Sequence, residues 1–322
     1  MQTVNISRVI KNLLFFIVFE FIFCTILGIY LVFYGPFTNI KETFVTSAMT
    51  TLNHKYLATM FLSQAEIDKI MKKNQTQILS EKENQDDIII SNTSDDIELI
   101  DIKTNKFKGY LLVISNPKRI SVATTSNLGK GGMTLSQIVK QYDAIGGINA
   151  GGFVDPKMAG TGGVPVGIII ENGEIKHKDD TQTYDIIGFN EKDILVIGEK
   201  YTLEDIKNLK IRDAISFGPA LIINGKPMIV KGDGGWGIAP RSAIGQRQDG
   251  TVLFLTVDGR QTDSIGATLK DIQDILLKYG AHNAANLDGG SSSTMYYNGQ
   301  VINTPSDILG ERAIPSAFII KK

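Results

Sequence analysis

Three times this chain spells a helix start followed by a short strand that runs into glycine. Thr134-Leu-Ser-Gln-Ile, Thr202-Leu-Glu-Asp-Ile and Thr268-Leu-Lys-Asp-Ile all fit T-L-x-x-I. Threonine in the first position caps a helix, and Gln or Asp three residues on reaches back to it or favours the helix dipole. The apolar face is clearest in Leu269, Ile272 and Leu276. The strands that follow are Ile145 to Gly152, Ala214 to Gly218 and Ala284 to Gly290. Asn-Gly pairs between apolar runs, at Asn172-Gly173, Asn224-Gly225 and Asn298-Gly299, predict three tight hairpins. Asp249-Gly250 before Thr251 to Val257 predicts a fourth. Helix-then-strand units interleaved with hairpins imply an α+β domain, with helices packed on a mixed sheet.

The N-terminus obeys a different pattern. Leu13 to Tyr34 is apolar apart from Glu20 and is long enough to cross a hydrocarbon core of about 30 Å as a helix. Arg8 and Lys11 precede it, while Lys41 and Glu42 follow and cancel. The positive-inside tendency then leaves residues 1–12 in the cytoplasm and sets everything after the anchor at 13–34 outside the cell membrane. A cleaved signal peptide is the rival reading, but no clear small-x-small site follows. Residues 35–96 read as a partly helical stalk or linker. Ser63-Gln-Ala-Glu66 has capping-box form, and Lys72 to Asp87 is too polar to fold alone. The compact domain spans 97–322, opening with the strands Ile97 to Ile102 and Gly109 to Ser115.

Composition narrows the chemistry. Thirty-three Lys and Arg against 34 Asp and Glu give a net charge of -1, which argues against a nucleic-acid partner. The single cysteine, Cys24, lies in the apolar run, so disulfide staples and a catalytic thiol in the folded body are ruled out. With three histidines, any metal would be held by oxygen ligands, as Ca2+ or Mg2+ can be; no cofactor is required by the residues.

The first and third repeats end alike, at Asn149-Ala-Gly151-Gly152-Phe153 and Asp288-Gly289-Gly290-Ser291. If the repeats are equivalent, Asn149 and Asp288 face one cleft, where the glycines admit a ligand and offer N–H groups to an anion. Ser291, Ser292, Ser293 and Thr294 add hydroxyls. Other polar residues sit in apolar or glycine-rich surroundings: Arg241 in P-R-S-A-I-G, Asp258 and Arg260 in V-D-G-R, and Asp307, Glu311 and Arg312 before the last strand. The acids are candidate acid or base groups, and the arginines are candidate anion clamps.

Taken in order, N-A-G-G-F, P-R-S-A-I-G, V-D-G-R, N-L-D-G-G-S-S-S-T-M-x-x-N-G, P-S-D and E-R resemble the phosphodiester glycosidase family, from about Ile97 to the C-terminus. Bacterial members are often described as exopolysaccharide biosynthesis proteins. Two departures stand out: Asn149-Ala150 replaces the family's usual Asn-Gly, and Ser291 replaces a third glycine. The resemblance implies a hydrolase that cuts between a sugar's anomeric carbon and a phosphodiester, and the outward-facing anchor points to a carbohydrate phosphodiester of the cell envelope as substrate.

The residue inventory fits such chemistry. A phosphodiester leaving group needs charge neutralisation more than protonation, which Arg241, Arg312, the Gly289 and Gly290 amides and Ser292 could supply. The oxocarbenium-like carbon needs a carboxylate, with Asp288 the first choice and Asp258 the second. Asn149 would hold a sugar hydroxyl or orient that carboxylate, and Trp236 could stack on a sugar face. Two alternatives compete: a serine hydrolase using Ser292 or Ser293 with His282, and a non-catalytic module binding anionic polysaccharide.

Overall fold

All three T-L-x-x-I segments form helices, Leu135–Gln141, Leu203–Asn208 and Leu269–Lys278. Each opens on a reciprocal capping box, in which Thr134, Thr202 and Thr268 bond Gln137, Asp205 and Asp271. The computed structural model describes residues 6–50, 55–74, 83–91, 94–154 and 161–322. The chain divides into two compact units, Met1–Lys73 and Asn74–Lys322.

The larger unit holds two five-stranded sheets, one seven-stranded sheet and a two-stranded one. The three helices tie its main sheets together by a single rule. The strands before and after the first helix are Ile120–Thr124 and Gly146–Asn149. They lie in one sheet, but the C-terminal strand Ser316–Ile320 is inserted between them and pairs with both. The strands flanking the second helix, Leu195–Tyr201 and Ile211–Ile215, are separated in the same way by Tyr184–Asn190. Those flanking the third, Val252–Val257 and Asn283–Leu287, are separated by Arg241–Gln246. Each helix therefore makes a split crossover, whose outer strands run parallel without touching.

The α+β class, the hairpins and the packed helices follow the sequence reading, but strand direction does not. Every strand pair among the described residues is antiparallel, because a sequence-distant strand fills each parallel gap.

The Asn-Gly hairpins complete the rule. The strand after each helix passes into a hairpin that joins the next sheet instead of its own. Gly146–Asn149 hands on to Ile168–Glu171, which pairs with Ile211–Ile215. Ile211–Ile215 hands on to Ala220–Ile223, which pairs with Asn283–Leu287. Asn283–Leu287 hands on to Met295–Tyr297, which pairs with Gly146–Asn149. The cycle closes, so no sheet is complete without a strand lent by another. Asn172, Asn224 and Asn298 take φ of 51°, 50° and 48°, the left-handed geometry that a tight hairpin turn requires.

The inner faces of the sheets meet in one core that includes Ile148, Phe318, Ile187, Phe189, Ile244, Phe254 and Leu287. Phe189 meets Phe318 edge-on at 6.2 Å. Each helix covers an outer face, as Leu269, Ile272 and Leu276 do over Leu253 and Leu255.

This unit starts upstream of the expected boundary at Ile97. Residues 83–91 lie on the domain: Glu83 accepts from the Ile197 amide at 2.7 Å, and Ile89 N–H donates to Gln248 O at 2.9 Å. Its few apolar side chains find cover against preformed sheets, as buried Ile88 does. Most of the polar stretch from Lys72 to Asp87 lies outside the described residues.

The smaller unit contains helix Ile6–Tyr34 and the helices Thr38–Met49, Tyr56–Thr59 and Gln64–Asn74. Phe33, Val45, Ala58, Leu62 and Ile67 form its core, so the expected stalk is a small helical cluster. Ser63 and Glu66 exchange the capping-box bonds expected of them. Ile10–Tyr34 is long and apolar enough to span a membrane, with mean hydropathy 2.5, a test that a signal sequence also passes.

Candidate active site

The closed cycle brings the ends of the three post-helix strands together. Asp288 N–H donates to Ala150 O at 3.0 Å, and Asn149 Nδ2 donates to Asp288 O at 2.6 Å. Gly152 N–H reaches Ser216 O at 3.4 Å, and Asn286 N–H reaches Pro219 O at 3.0 Å. The repeats are thus structurally equivalent, and Asn149 and Asp288 are neighbours despite being 139 residues apart.

Asp288 stands at this junction, half-buried. Its Oδ1 accepts from Gly289 N–H at 3.0 Å. Burial pushes its carboxyl up to about 6, against the opposing pull of the Ser292 hydroxyl, the Arg312 charge and the Gly289 N–H. An acid held there titrates near neutrality and can exchange roles between carboxylate and carboxylic acid.

Arg312 approaches from the last loop. Its Nη1 donates to Ser291 Oγ at 3.1 Å, and its guanidinium lies over the Phe153 ring at 4.9 Å. Arg260 reaches the same turn. A Cβ placed on Gly290 would lie 3.3 Å from Arg260 Nη2, so the guanidinium stands over that glycine. Its side chain is exposed, and no hydrogen-bond or ion-pair partner for the guanidinium is found among the described residues. Partial desolvation by the neighbouring loops and the nearby Arg312 charge both lower its pKa. Its backbone also adopts φ of 60°, an uncommon conformation for a residue with a Cβ.

Arg241 has a different role from the one expected. Its Nη2 donates to Trp236 O and Gly237 O, both at 2.7 Å, and its Nε donates to Ala267 O at 3.1 Å. The strand register runs one step past Ser242↔Leu287 to set Arg241 opposite Asp288. The buried guanidinium nevertheless turns toward the carbonyls and the Trp236 ring, 6.0 Å from its centroid. Burial lowers its pKa to about 10. It braces the loop and adds a fixed positive charge from behind. Arg241→Leu is therefore expected to lose about 2 kcal/mol of stability in urea denaturation, through carbonyls left unpaired. Arg260→Leu should stay within about 0.5 kcal/mol of the parent.

Other candidates are also committed to structure. The Asp258 carboxylate accepts from Thr304 N–H at 2.9 Å and Asn303 Nδ2 at 3.2 Å. Burial raises its pKa, and its charged neighbours are Lys108 and Asp263, so it is separated from the Asp288 group. Asn149 Oδ1 accepts from Ser242 Oγ at 2.6 Å and Thr294 N–H at 3.0 Å. With both acceptor positions of Oδ1 filled, one N–H given to Asp288 O and the side chain fully buried, Asn149 positions Asp288 through the backbone.

Gly151 N–H donates to Ser316 Oγ at 3.2 Å, and a Cβ on Gly152 would meet the Phe217 ring at 2.9 Å. Those glycines serve close packing. The Gly289 and Gly290 amides are likewise taken, by Asp288 Oδ1 and Pro240 O. Neither amide of this pair is therefore open to an anion. Asp307 Oδ1 shapes its own turn by accepting from Leu309 N–H at 3.0 Å. Glu311 accepts from Ser136 N–H at 2.9 Å at the start of helix Leu135–Gln141. Among the described residues no three acidic, histidine or cysteine side chains gather as a metal cage.

The alternative pairing of Ser292 or Ser293 with His282 is not formed. Ser292 bonds Asp288, whereas His282 Nε2 faces Asp87 at 3.3 Å. His282 and Asp288 flank opposite ends of the strand Asn283–Leu287, about 20 Å apart at the usual rise per residue.

Comparisons with known proteins identify the family and the fold. The phosphodiester glycosidase family model matches residues 142–321, more than half of the chain. An uncharacterized SPbeta prophage-derived protein of Bacillus subtilis (strain 168), YomE, is 31% identical over 201 residues, covering 58% of this chain and 29% of that protein. The bovine (Bos taurus) N-acetylglucosamine-1-phosphodiester alpha-N-acetylglucosaminidase is 43% identical over 70 residues, covering 22% of this chain and 13% of the enzyme. The chain thus spans less than a third of either relative. The catalytic domain of the zebrafish enzyme, auto-inhibited by its pro-peptide, shares the fold with a TM-score of 0.59 at 22% identity. That match covers 75% of this chain and 87% of the zebrafish domain. On the strength of the family match, supported by the shared fold, this chain belongs to the phosphodiester glycosidase family.

Proposed function

We propose that the chain hydrolyses the bond between a sugar's anomeric carbon and a phosphodiester, acting on a glycan or glycopolymer of the cell surface. The observation that carries this reading is one carboxylate, Asp288, under the charge of the half-buried Arg312 guanidinium, with the exposed guanidinium of Arg260 over nearby Gly290. The two cations suit the single negative charge of a phosphodiester and stabilise the phosphomonoester as it departs.

Asp288 serves the anomeric carbon, either as nucleophile or as base for the attacking water. Gly289 N–H and the Ser292 hydroxyl hold its carboxylate in place. Trp236 and Phe217, half-buried and edge-to-face at 5.9 Å, supply an aromatic wall for a sugar face. In this reading the helix Ile10–Tyr34 anchors the enzyme, with Arg8 and Lys11 on the cytoplasmic side.

The test is an assay of the full chain on paired substrates: sugar-1-phosphodiesters and neutral glycosides of the same sugars. Equal amounts of reducing sugar and phosphomonoester are expected from the first set, with far slower cleavage of the second. Equal rates on both sets would remove the phosphate from the recognition argument. Binding of the phosphodiester without turnover would favour a carbohydrate-binding module instead.

A further inference from the structure

The loops around the cationic site end in apolar side chains that are exposed among the described residues. The turn Asp307-Ile308-Leu309-Gly310 is held by the Asp307–Gly310 bridge and by Asp307 Oδ1. Its tip is bare: Ile308 is 99% exposed and Leu309 92%. Turn tips ordinarily carry Gly, Pro, Asn, Asp or Ser. This turn leads directly into Arg312, four residues beyond Ile308, so the tip lies within about 13 Å of that guanidinium's backbone.

The loop that carries Arg260 is stitched to the same region by Gln261 Nε2, which donates to Thr304 O at 2.9 Å. That loop presents Ile265, also exposed. The hairpin bearing Phe153, the ring under Arg312, presents Val154 and Val166. Scattered exposed apolar residues are normal, but here three separate loops that flank two guanidiniums each carry one or more.

We infer that this rim receives the hydrocarbon chain of a lipid alcohol esterified to the phosphate, so that the substrate class is a sugar joined to a lipid through one phosphodiester. The inference rests on the glycosidase reading and names the aglycone. An amphiphile of that kind carries both things these loops present: an anion for the two guanidiniums and a hydrocarbon for the exposed apolar tips. In the reaction the bond from C1 to the bridging oxygen breaks, and water supplies the oxygen of the new C1 hydroxyl. The bridging oxygen and its electron pair leave with the lipid phosphomonoester.

The experiment compares methyl and octyl esters of one sugar-1-phosphate, with the full chain in nanodiscs and the octyl ester below its micellar concentration. The kcat/KM of the parent should favour the octyl ester about tenfold, a preference that burial of on the order of 60 Å² of apolar surface produces. In Ile308→Ser/Leu309→Ser the octyl-to-methyl ratio should fall to near one. In Ile308→Val/Leu309→Val it should persist, since apolarity is what counts. A ratio near one in the parent overturns the inference, and so does a preference that survives the serine variant, which would place the hydrocarbon in the bilayer or elsewhere. A serine variant that changes oligomeric state but not the ratio would assign the rim to a second copy of the chain. No cleavage of either ester would instead overturn the glycosidase reading itself.

Discussion

Asp288→Asn is expected to reduce turnover of a sugar-1-phosphodiester by at least about 1,000-fold while leaving the fold intact. The amide can still accept from Gly289 N–H at Oδ1, so the local geometry survives. What disappears is the negative charge that must meet the anomeric carbon. The parent's kcat/KM should rise with pH through about 6, as the carboxyl ionises. Stability should move the opposite way. The folded-state pKa lies above the ordinary 3.8, so the native protein holds this proton more tightly than the unfolded chain does. Stability from Asp288 is then complete below about pH 4 and is lost as pH rises through about 6. The asparagine variant escapes that loss. At about pH 7.5 it should unfold at higher urea than the parent by on the order of 2 kcal/mol, and at about pH 4 the difference should vanish. A variant that retains activity, or loses stability at neutral pH, would remove Asp288 from its assigned role.

Removing the paired cations has the second largest expected effect. Arg312→Ala and Arg260→Ala should each lower kcat/KM for the phosphodiester by about 100-fold, with a much smaller effect on a neutral glycoside. The two variants differ in one respect. Arg312 is the charge that restrains the Asp288 pKa. Without it, the rising limb of the pH profile should move above 6, whereas Arg260→Ala should leave that limb nearly where it was. Arg260→Gly adds a stability readout. It relieves the left-handed backbone at φ of 60° and should gain about 0.5 to 1 kcal/mol as activity falls. Unchanged kinetics in both alanine variants would assign the phosphate to other groups.

How much of this was legible in the chain depends on the range of the interactions involved. The capping threonines and Asn-Gly turns act within a few residues, and their sequence signatures translate directly into the helices and hairpins observed. The likeness of the N-A-G-G and D-G-G segments correctly announces two equivalent strand ends. The direction of neighbouring strands was hidden, because Ser316–Ile320 enters the sheet of Gly146–Asn149 from the far end of the chain.

The arginines show the limit most plainly. Arg241 and Arg260 both sit in glycine-containing motifs, and nothing local says which one faces the solvent. Strand register and a positive φ decide it, burying Arg241 and presenting Arg260. The same holds for Gly151 and Gly152, which look like a ligand cradle in sequence and are spacers against Ser316 and Phe217 in three dimensions.

The order of strands in the seven-stranded sheet limits where the protein can be cut. The family match begins at residue 142, yet Lys108–Ile114 lies inside that sheet and hydrogen-bonds to Val252–Val257 along its length. A fragment trimmed to the matched region would leave Val252–Val257, all six residues of which are buried, as a naked margin with unspent amides and carbonyls. Such a margin invites another molecule's strand, so the fragment should precipitate as intermolecular β-structure while a chain retaining residues 83–141 stays in solution.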